Sequence, residues 1–229
     1  MSKSIGVKNE SSLHRALKYH YTGPGGKTEV SVGEYVADGV CKNGEYIEVQ
    51  TGSFAPLKKK VKEYTVFGKV RIIHPVAVTK KIEVYDSDGS FLYRRKSPVQ
   101  GSLWDIFDAL MYAPELPLIR NVEIEVAMID IIEKRVKDGK GAWRRRGISI
   151  KDKELSAWHE CFLFKKSSDY LCFVPFKKKE EFTASMLAER AGINKDTARK
   201  ALYVLTKMKI VKRIYRKGPA WVYIKKAAC

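Results

Sequence analysis

Residues 34–50 read Glu34-Tyr35-Val36-Ala37-Asp38-Gly39-Val40-Cys41-Lys42-Asn43-Gly44-Glu45-Tyr46-Ile47-Glu48-Val49-Gln50. Alternating Val, Ile and Tyr on both sides of Asn43-Gly44 predicts two antiparallel strands, and their register decides whether the acids meet. A two-residue Asn43-Gly44 turn pairs Lys42 with Glu45, sets Asp38 against Val49 and sends Glu48 to the other face. A three-residue Lys42-Asn43-Gly44 loop with Gly44 left-handed pairs Cys41 with Glu45 instead. Asp38 then lies across from Glu48, and Val36 across from Gln50. Directly opposed Cβ atoms are about 5 Å apart, and carboxylates that close repel unless a cation sits between them. The second register is preferred, because it also gathers Ile47 and Val49 on the other face with Tyr35 and Ala37.

Residues 9–21 are expected to form a helix capped by Asn9, with Leu13, Ala16, Leu17 and Tyr21 on one face. Residues 28–40, bent at Gly33, and 45–50 read as strands, and 54–66 as a second helix with Leu57, Val61 and Tyr64 in line. The β-branched run 69–79 is a further strand, so the order is helix, three strands, helix, strand (αβββαβ). Asp38 and Glu48 with a neighbouring carbonyl make an all-oxygen site suited to Mg2+ or Mn2+. Such a metal generates hydroxide and neutralises charge at a phosphodiester. Gln50 is placed to orient a water or a phosphate oxygen. Glu10, on the inward face of the first helix, is a candidate third carboxylate, while His14 and His74 read as structural.

This order of elements, with Asp38 on one strand and Glu48-x-Gln50 on the next, resembles the PD-(D/E)XK nuclease superfamily, chiefly its resolvase-like and restriction-like members. The resemblance covers residues 9–80. It implies a restriction-endonuclease-like core, with Asp38 and Glu48 as metal ligands and Gln50 in the place of the family's lysine. Glu10 matches the first-helix acid of some members. Ala37 replaces the motif proline. Gln50 removes a positive charge from beside the scissile phosphate, which Lys58, Lys59 or Lys60 of the next helix can restore. Lys58 and Lys60 are also candidate phosphate contacts.

Further along, Lys81–Tyr85 and Phe91–Arg95 flank Asp86-Ser87-Asp88-Gly89, a hairpin signal. Residues 102–112 read as a helix, 122–128 as a strand, and 160–164 with 170–174 as a hairpin around Ser167-Ser168-Asp169. Gly141-Ala142-Trp143-Arg144-Arg145-Arg146-Gly147 is a candidate nucleic-acid grip through Arg144 and Arg145, with Trp143 available for stacking. Past the charged stretch Lys177-Lys178-Lys179-Glu180-Glu181, helices are expected at 183–191 and 195–208, followed by strands at 210–215 and 220–225. Met186, Leu187, Ile193, Ala198, Ala201, Leu202, Leu205 and Met208 form their shared core. Lys195, Thr197, Arg199, Lys200 and Tyr203 are left outside to read groove edges and hold phosphates, and Arg216 and Lys217 load the following hairpin. The run Leu187–Leu202 resembles winged-helix DNA-binding domains over about 45 residues.

Charge agrees with a polyanionic partner. The 229-residue chain carries 44 basic and 26 acidic side chains, a net +18, and half of that excess falls in the last 51 residues. No apolar run reaches the ~18 residues a membrane span needs, and Met1–Gly6 lacks the apolar stretch of a signal peptide. Cys41, Cys161, Cys172 and Cys229 form no Cys-x-x-Cys pair, so a zinc site or disulfide framework is not expected and a reducing cytoplasm fits. The expectation is an α+β (α/β) protein with a nuclease-like core at 1–85, a mixed middle region at 86–178 and a winged helix at 179–229. Its expected partner is double-stranded or branched DNA and no membrane, with a homodimer left open. The expected activity is metal-dependent phosphodiester hydrolysis. The alternative is a non-catalytic DNA-binding protein with a degenerate nuclease fold.

Overall fold

The computed structural model describes residues 10–226. Its element order is α1 (Ser12–Thr22), β1 (Lys27–Val32), β2 (Tyr35–Val40), β3 (Tyr46–Val49), α2 (Leu57–Phe67), β4 (Val70–Asp86) and β5 (Phe91–Lys96). There follow α3 (Ile106–Leu110), β6 (Val122–Lys137), β7 (Ile148–Phe164), β8 (Glu181–Phe182), α4 (Ala184–Ala191), α5 (Lys195–Lys207), β9 (Val211–Lys217) and β10 (Ala220–Lys225). The class is mixed α and β, built on a seven-stranded sheet of order β1-β2-β3-β4-β6-β7 with β5 beside β4. A three-stranded sheet β8-β10-β9 lies beside α4 and α5. No helix among the described residues is long and apolar enough to cross a membrane.

The first six elements follow the sequence pattern. The expected cap Asn9 lies outside the described residues; Ser11 caps α1 by accepting from the His14 amide, so Glu10 precedes the helix instead of lying on its inward face. Gly44 is left-handed at φ 84°, the Cys41 amide donates to Glu45 O at 2.8 Å, and Gly39 faces Ile47. This is the three-residue-loop register. β3 and β4 are parallel and joined through α2, the crossover unit of an α/β sheet.

Two cores lie on opposite sides of the sheet. Leu13 and Leu17 of α1 pack on Ile47, Val49, Ile73 and Ile129. Leu57, Val61 and Tyr64 of α2 pack with Ile72, Val126, Phe107 and Leu110 in the larger one. Ala37, expected beside Ile47 and Val49, joins the larger core instead, because the paired ladder of β2 with β3 ends at Gly39. α1 presses directly on that point: a Cβ on Gly39 would lie 2.0 Å from Thr22 Oγ1. Gly39→Ala should therefore destabilise the protein by about 1–3 kcal/mol, read as a lower urea midpoint; an unchanged midpoint would show that α1 gives way without cost.

The middle of the chain departs most from expectation. The division at 85/86 does not exist in the fold. β4 runs across it, and β6 and β7 extend the same sheet. The segments 129–137 and 148–159 are strands despite their charge, because the charges pair across the sheet. Lys134 Nζ lies 2.6 Å from Glu154, and Lys80 of β4 lies 3.8 Å from Glu133. Residues 103–105 form a 3₁₀ turn ahead of the short α3, and 167–173 form another instead of a strand. The Asp169 carboxylate accepts from the Lys165 and Lys166 amides at 2.8 and 3.1 Å and winds that turn.

The C-terminal elements match the expected helices. Gly192 ends α4 in the left-handed region at φ 63°, and Asn194 caps α5 by accepting from the Thr197 amide. Met186, expected in the core, is exposed. This unit is continuous with the larger core: the rings of Phe176 and Phe182 stack at 4.0 Å between centroids. Lys200 Nζ of α5 reaches Asp108 of α3 at 2.6 Å.

Candidate functional site

The site lies where β2 and β3 part. Beyond Gly39 the Asp38 carboxylate takes the place of a main-chain partner: its Oδ2 accepts from the Val49 amide at 2.8 Å. Glu48 Oε1 lies 3.4 Å from the Asp38 amide. Glu48 thus reaches the Asp38 main chain, and Asp38 reaches the main chain of Val49, the residue after Glu48. They diverge in their ionic partners, and so do not lie simply side by side on one face. Glu48 accepts from Lys60 Nζ of α2 at 2.7 Å, while Asp38 meets His14 Nε2 of α1 at 3.3 Å.

His14 organises the other flank. Its Nδ1 lies 2.7 Å from Glu10 Oε1, and its Nε2 lies 3.1 Å from the Val49 carbonyl as well as near Asp38. Every neighbour is an acceptor, so only the doubly protonated ring satisfies both nitrogens. The hydrogen bond to Asp38, then that to Glu10, outweigh burial and push the His14 pKa up to about 9. Glu10 also binds Lys18, at 2.7 Å. Burial alone would raise the Glu10 pKa, but Lys18 and His14 hold it below the usual range. The His14 ring thus stands between Glu10 and Asp38, and Glu10 does not join the carboxylate pair directly.

Glu48 is only 2% exposed. Burial first, and the Asp38 charge second, push its pKa up to about 7 despite Lys60. Asp38 moves the other way. Burial opposes its ionisation, but His14, the Val49 amide and Lys60 hold it low. Tyr64, fully buried on α2, has a hydroxyl with no hydrogen-bond partner, and its pKa is raised by burial and then by Glu48 and Asp38. Burial is the main cause of the Glu48 and Tyr64 shifts, with the charge of neighbouring carboxylates second. Asp38, Glu48 and the Val49 carbonyl supply the all-oxygen donors Mg2+ accepts, since it needs only one or two carboxylates and keeps its waters. Among the described residues no group of three or more His, Cys, Asp and Glu side chains gathers at metal-ligand spacing.

Gln50 does not aim at this pair; its amide donates to Ser53 O at 2.7 Å and shapes the turn after β3. That turn separates two clefts that share Thr51. One, of about 330 Å3, includes Ser53, Lys80, Asp105 and Asp108. The other, of about 620 Å3, runs from Glu10 to the β6–β7 loop.

The remaining expected contacts divide by engagement. Lys58 is paired with Glu115 at 2.6 Å and Lys200 with Asp108, so both hold the fold together. Lys60 serves Glu48. Lys195 and Arg199 line an open cleft with Trp221 and Tyr223, and Arg216 stacks on Trp221 at 4.6 Å. Thr197 is half-buried, Lys217 is exposed at the hairpin tip, and Tyr203 is exposed beside Lys207. Arg144 lies over the Trp143 ring at 5.5 Å, and Arg145 Nε donates to Ile148 O. Sequence reasoning missed His14 as a member of the site. The available signal was its place one turn into a helix facing the strand pair, four residues after Glu10.

No solved structure matches the chain. An uncharacterized protein of Treponema pallidum (strain Nichols) is 30% identical over 152 residues, covering 66% of this chain and 61% of the relative. The chain thus spans about three fifths of the length of the curated relative it matches. The family match runs over residues 11–165, from the cap of α1 to the end of β7, and so takes in the site, the whole large sheet and the β6–β7 loop while leaving out α4, α5 and the small sheet. The chain belongs to the family described as a domain of unknown function, DUF8091.

Proposed function

We propose that the protein is a metal-dependent deoxyribonuclease of the PD-(D/E)XK type, with a C-terminal winged helix that holds DNA. The observation that carries this reading is the interlocked pair Asp38 and Glu48 at the carboxyl end of β3, with a lysine from the following helix on Glu48. Asp38, Glu48 and the Val49 carbonyl would hold Mg2+ or Mn2+. The ion, when bound, supplies Lewis acidity and a water that ionises near neutral pH.

The chain's own residues do the rest. Lys60 takes over the charge that Gln50 lacks, standing where it can stabilise negative charge growing on a phosphate. His14 fixes Asp38 through Nε2 and is itself fixed by Glu10 through Nδ1, so the carboxylate is oriented before substrate arrives. Gln50 sets the turn at the mouth of the two clefts. In the C-terminal unit α5 presents Lys195, Arg199 and Tyr203 outward and the β9–β10 hairpin presents Arg216 and Lys217, the arrangement of a recognition helix and wing.

A second reading has one specific observation in its favour. Lys60 and His14 already neutralise much of the acid pair, as in a site that no longer needs a metal. A non-catalytic DNA-binding protein then remains. Incubation of the full chain with plasmid and branched DNA, with Mg2+, with Mn2+ and with EDTA, separates the two. Cleavage that EDTA stops is expected; binding without cleavage under every condition gives the second reading.

Two α5 cations should behave differently, because Arg199 pairs with the exposed Asp196 of its own helix at 2.9 Å, whereas Lys200 is tied to Asp108 of α3 at 2.6 Å. Arg199→Ala should reduce the slope of log affinity against log salt by about 1, as for one lost phosphate contact. Lys200→Ala should leave the slope unchanged and cost less than about 1 kcal/mol of stability, the range of an exposed ion pair. An equal slope change in both would mean that Lys200 leaves Asp108 for DNA.

A further inference from the structure

Of the groups outside the acid pair, the loop joining β6 to β7 is the one built to present side chains to a partner. Trp143 is 82% exposed, the most exposed large hydrophobic side chain among the described residues. Arg144, Arg145 and Arg146 follow it directly, with Arg144 lying over its ring. The loop is also held in shape. The Gly141 amide donates to Gly147 O at 3.0 Å, Arg145 N to Ala142 O at 2.8 Å and Arg146 N to Trp143 O at 2.9 Å. Gly141 sits so close to the returning strand that a Cβ would lie 2.0 Å from Ile148 O. Arg146 and Gly147 take left-handed φ of 50° and 78°.

An exposed tryptophan held up by a pinned turn costs solvation and returns nothing to the fold. The acids nearby are occupied internally: Asp138 accepts from Ser149 Oγ and the Lys140 amide, and Asp152 from Ser12 and the Lys153 amide. Arg144 and Arg146 are exposed, whereas the half-buried Arg145 gives its Nε to the Ile148 carbonyl and braces the turn.

Position supplies the second argument. The base of this hairpin borders the cleft of about 620 Å3 whose other wall is Glu10, Ser11 and Thr51. Asp138, Ser149 and Lys151 line the near wall. The cleft thus joins Glu10, which holds His14 beside Asp38, to the base of the hairpin that carries Trp143.

We infer that the Trp143–Arg146 turn is a contact for unpaired DNA, Trp143 stacking on an exposed base and Arg144 and Arg146 holding its phosphates. This deepens the nuclease reading and rests on it: the substrate becomes DNA with a single-stranded or branched segment next to the cut, because a paired base offers no free face to an indole. Every base has a π-face, so the contact tolerates any sequence.

The test is fluorescence anisotropy of the full chain in EDTA, with a flap-bearing DNA and a blunt duplex of equal length at the same salt concentration. Trp143→Ala should lower affinity for the flap DNA by about 5- to 150-fold, the range of one lost base–aromatic stack. Affinity for the blunt duplex should change by less than about twofold, within what a surface substitution away from the contact leaves. Trp143→Phe, which keeps an aromatic face, should recover most of the flap affinity. Equal losses on the two DNAs, or no loss on the flap, overturn the inference and leave the nuclease reading standing. A wild-type chain that binds neither DNA overturns both, and because binding is read without metal, absence of cleavage does not enter.

Discussion

Glu48→Ala should abolish Mg2+- or Mn2+-dependent cleavage, a loss of about 10²–10³-fold or more, the scale set by removing one preorganised electrostatic element. DNA binding should survive it. Half of the chain's excess positive charge lies in the last 51 residues, away from the acid pair, and a buried carboxylate only opposes phosphate when no metal stands between them. Binding in EDTA should be equal or slightly tighter. Lys60→Met should lower cleavage with little effect on binding in EDTA, since Lys60 supplies the charge that Gln50 lacks. Gln50→Lys should preserve or raise activity if a second cation fits beside the pair. Wild-type cleavage by Glu48→Ala would place the chemistry elsewhere.

The second large effect is on stability against pH. Glu48 titrates ordinarily near 4.5 but near 7 in the folded chain. Below 4.5 the group is neutral in both states and contributes nothing. Between 4.5 and 7 the unfolded chain ionises and the folded one resists, so stability falls as pH rises. The loss is complete above 7 and amounts to about 3 kcal/mol at ~1.4 kcal/mol per pH unit.

His14 acts with the same sign over a higher window. Its folded pKa is raised from 6.5 to about 9, so its stabilisation is full below 6.5 and is lost as pH climbs through 9. Asp38 and Glu10 are held low, and their contribution disappears only on acidification below their ordinary values of 3.8 and 4.5. Stability should therefore peak near pH 4.5 and decline towards pH 9. Glu48→Gln removes the 4.5–7 limb but also the charge that pairs Lys60, and should raise the melting temperature at pH 8 by at most about 6–12 °C, at ~2–4 °C per kcal/mol for a chain of this size. Thermal melts of both proteins from pH 5 to pH 9 read this directly. Parallel curves would show that Glu48 ionises normally in the fold.

The sequence by itself determined the local structures whose causes lie within a few residues. Leu13 with Leu17, and Leu57 with Val61 and Tyr64, repeat at helical spacing, so α1 and α2 could be read directly. Gly44 in a three-residue loop set the β2–β3 register without help from the rest of the chain. Gly192 and Asn194 end α4 and begin α5 by the same short-range logic. The tertiary structure alone decided the long strands of the middle region. Lys134 and Glu154 look like solvent-facing residues in a linear reading and become partners only when the strands carrying them lie side by side. It alone placed α1 on Gly39, which parts the two strands, turns Asp38 towards His14 and leaves Glu48 to Lys60. It also turned Lys200 from a free surface cation into the partner of Asp108, 92 positions earlier in the chain. Periodicity records which face a side chain occupies; the element packed against that face is chosen by contacts between residues far apart in sequence, which no local pattern carries.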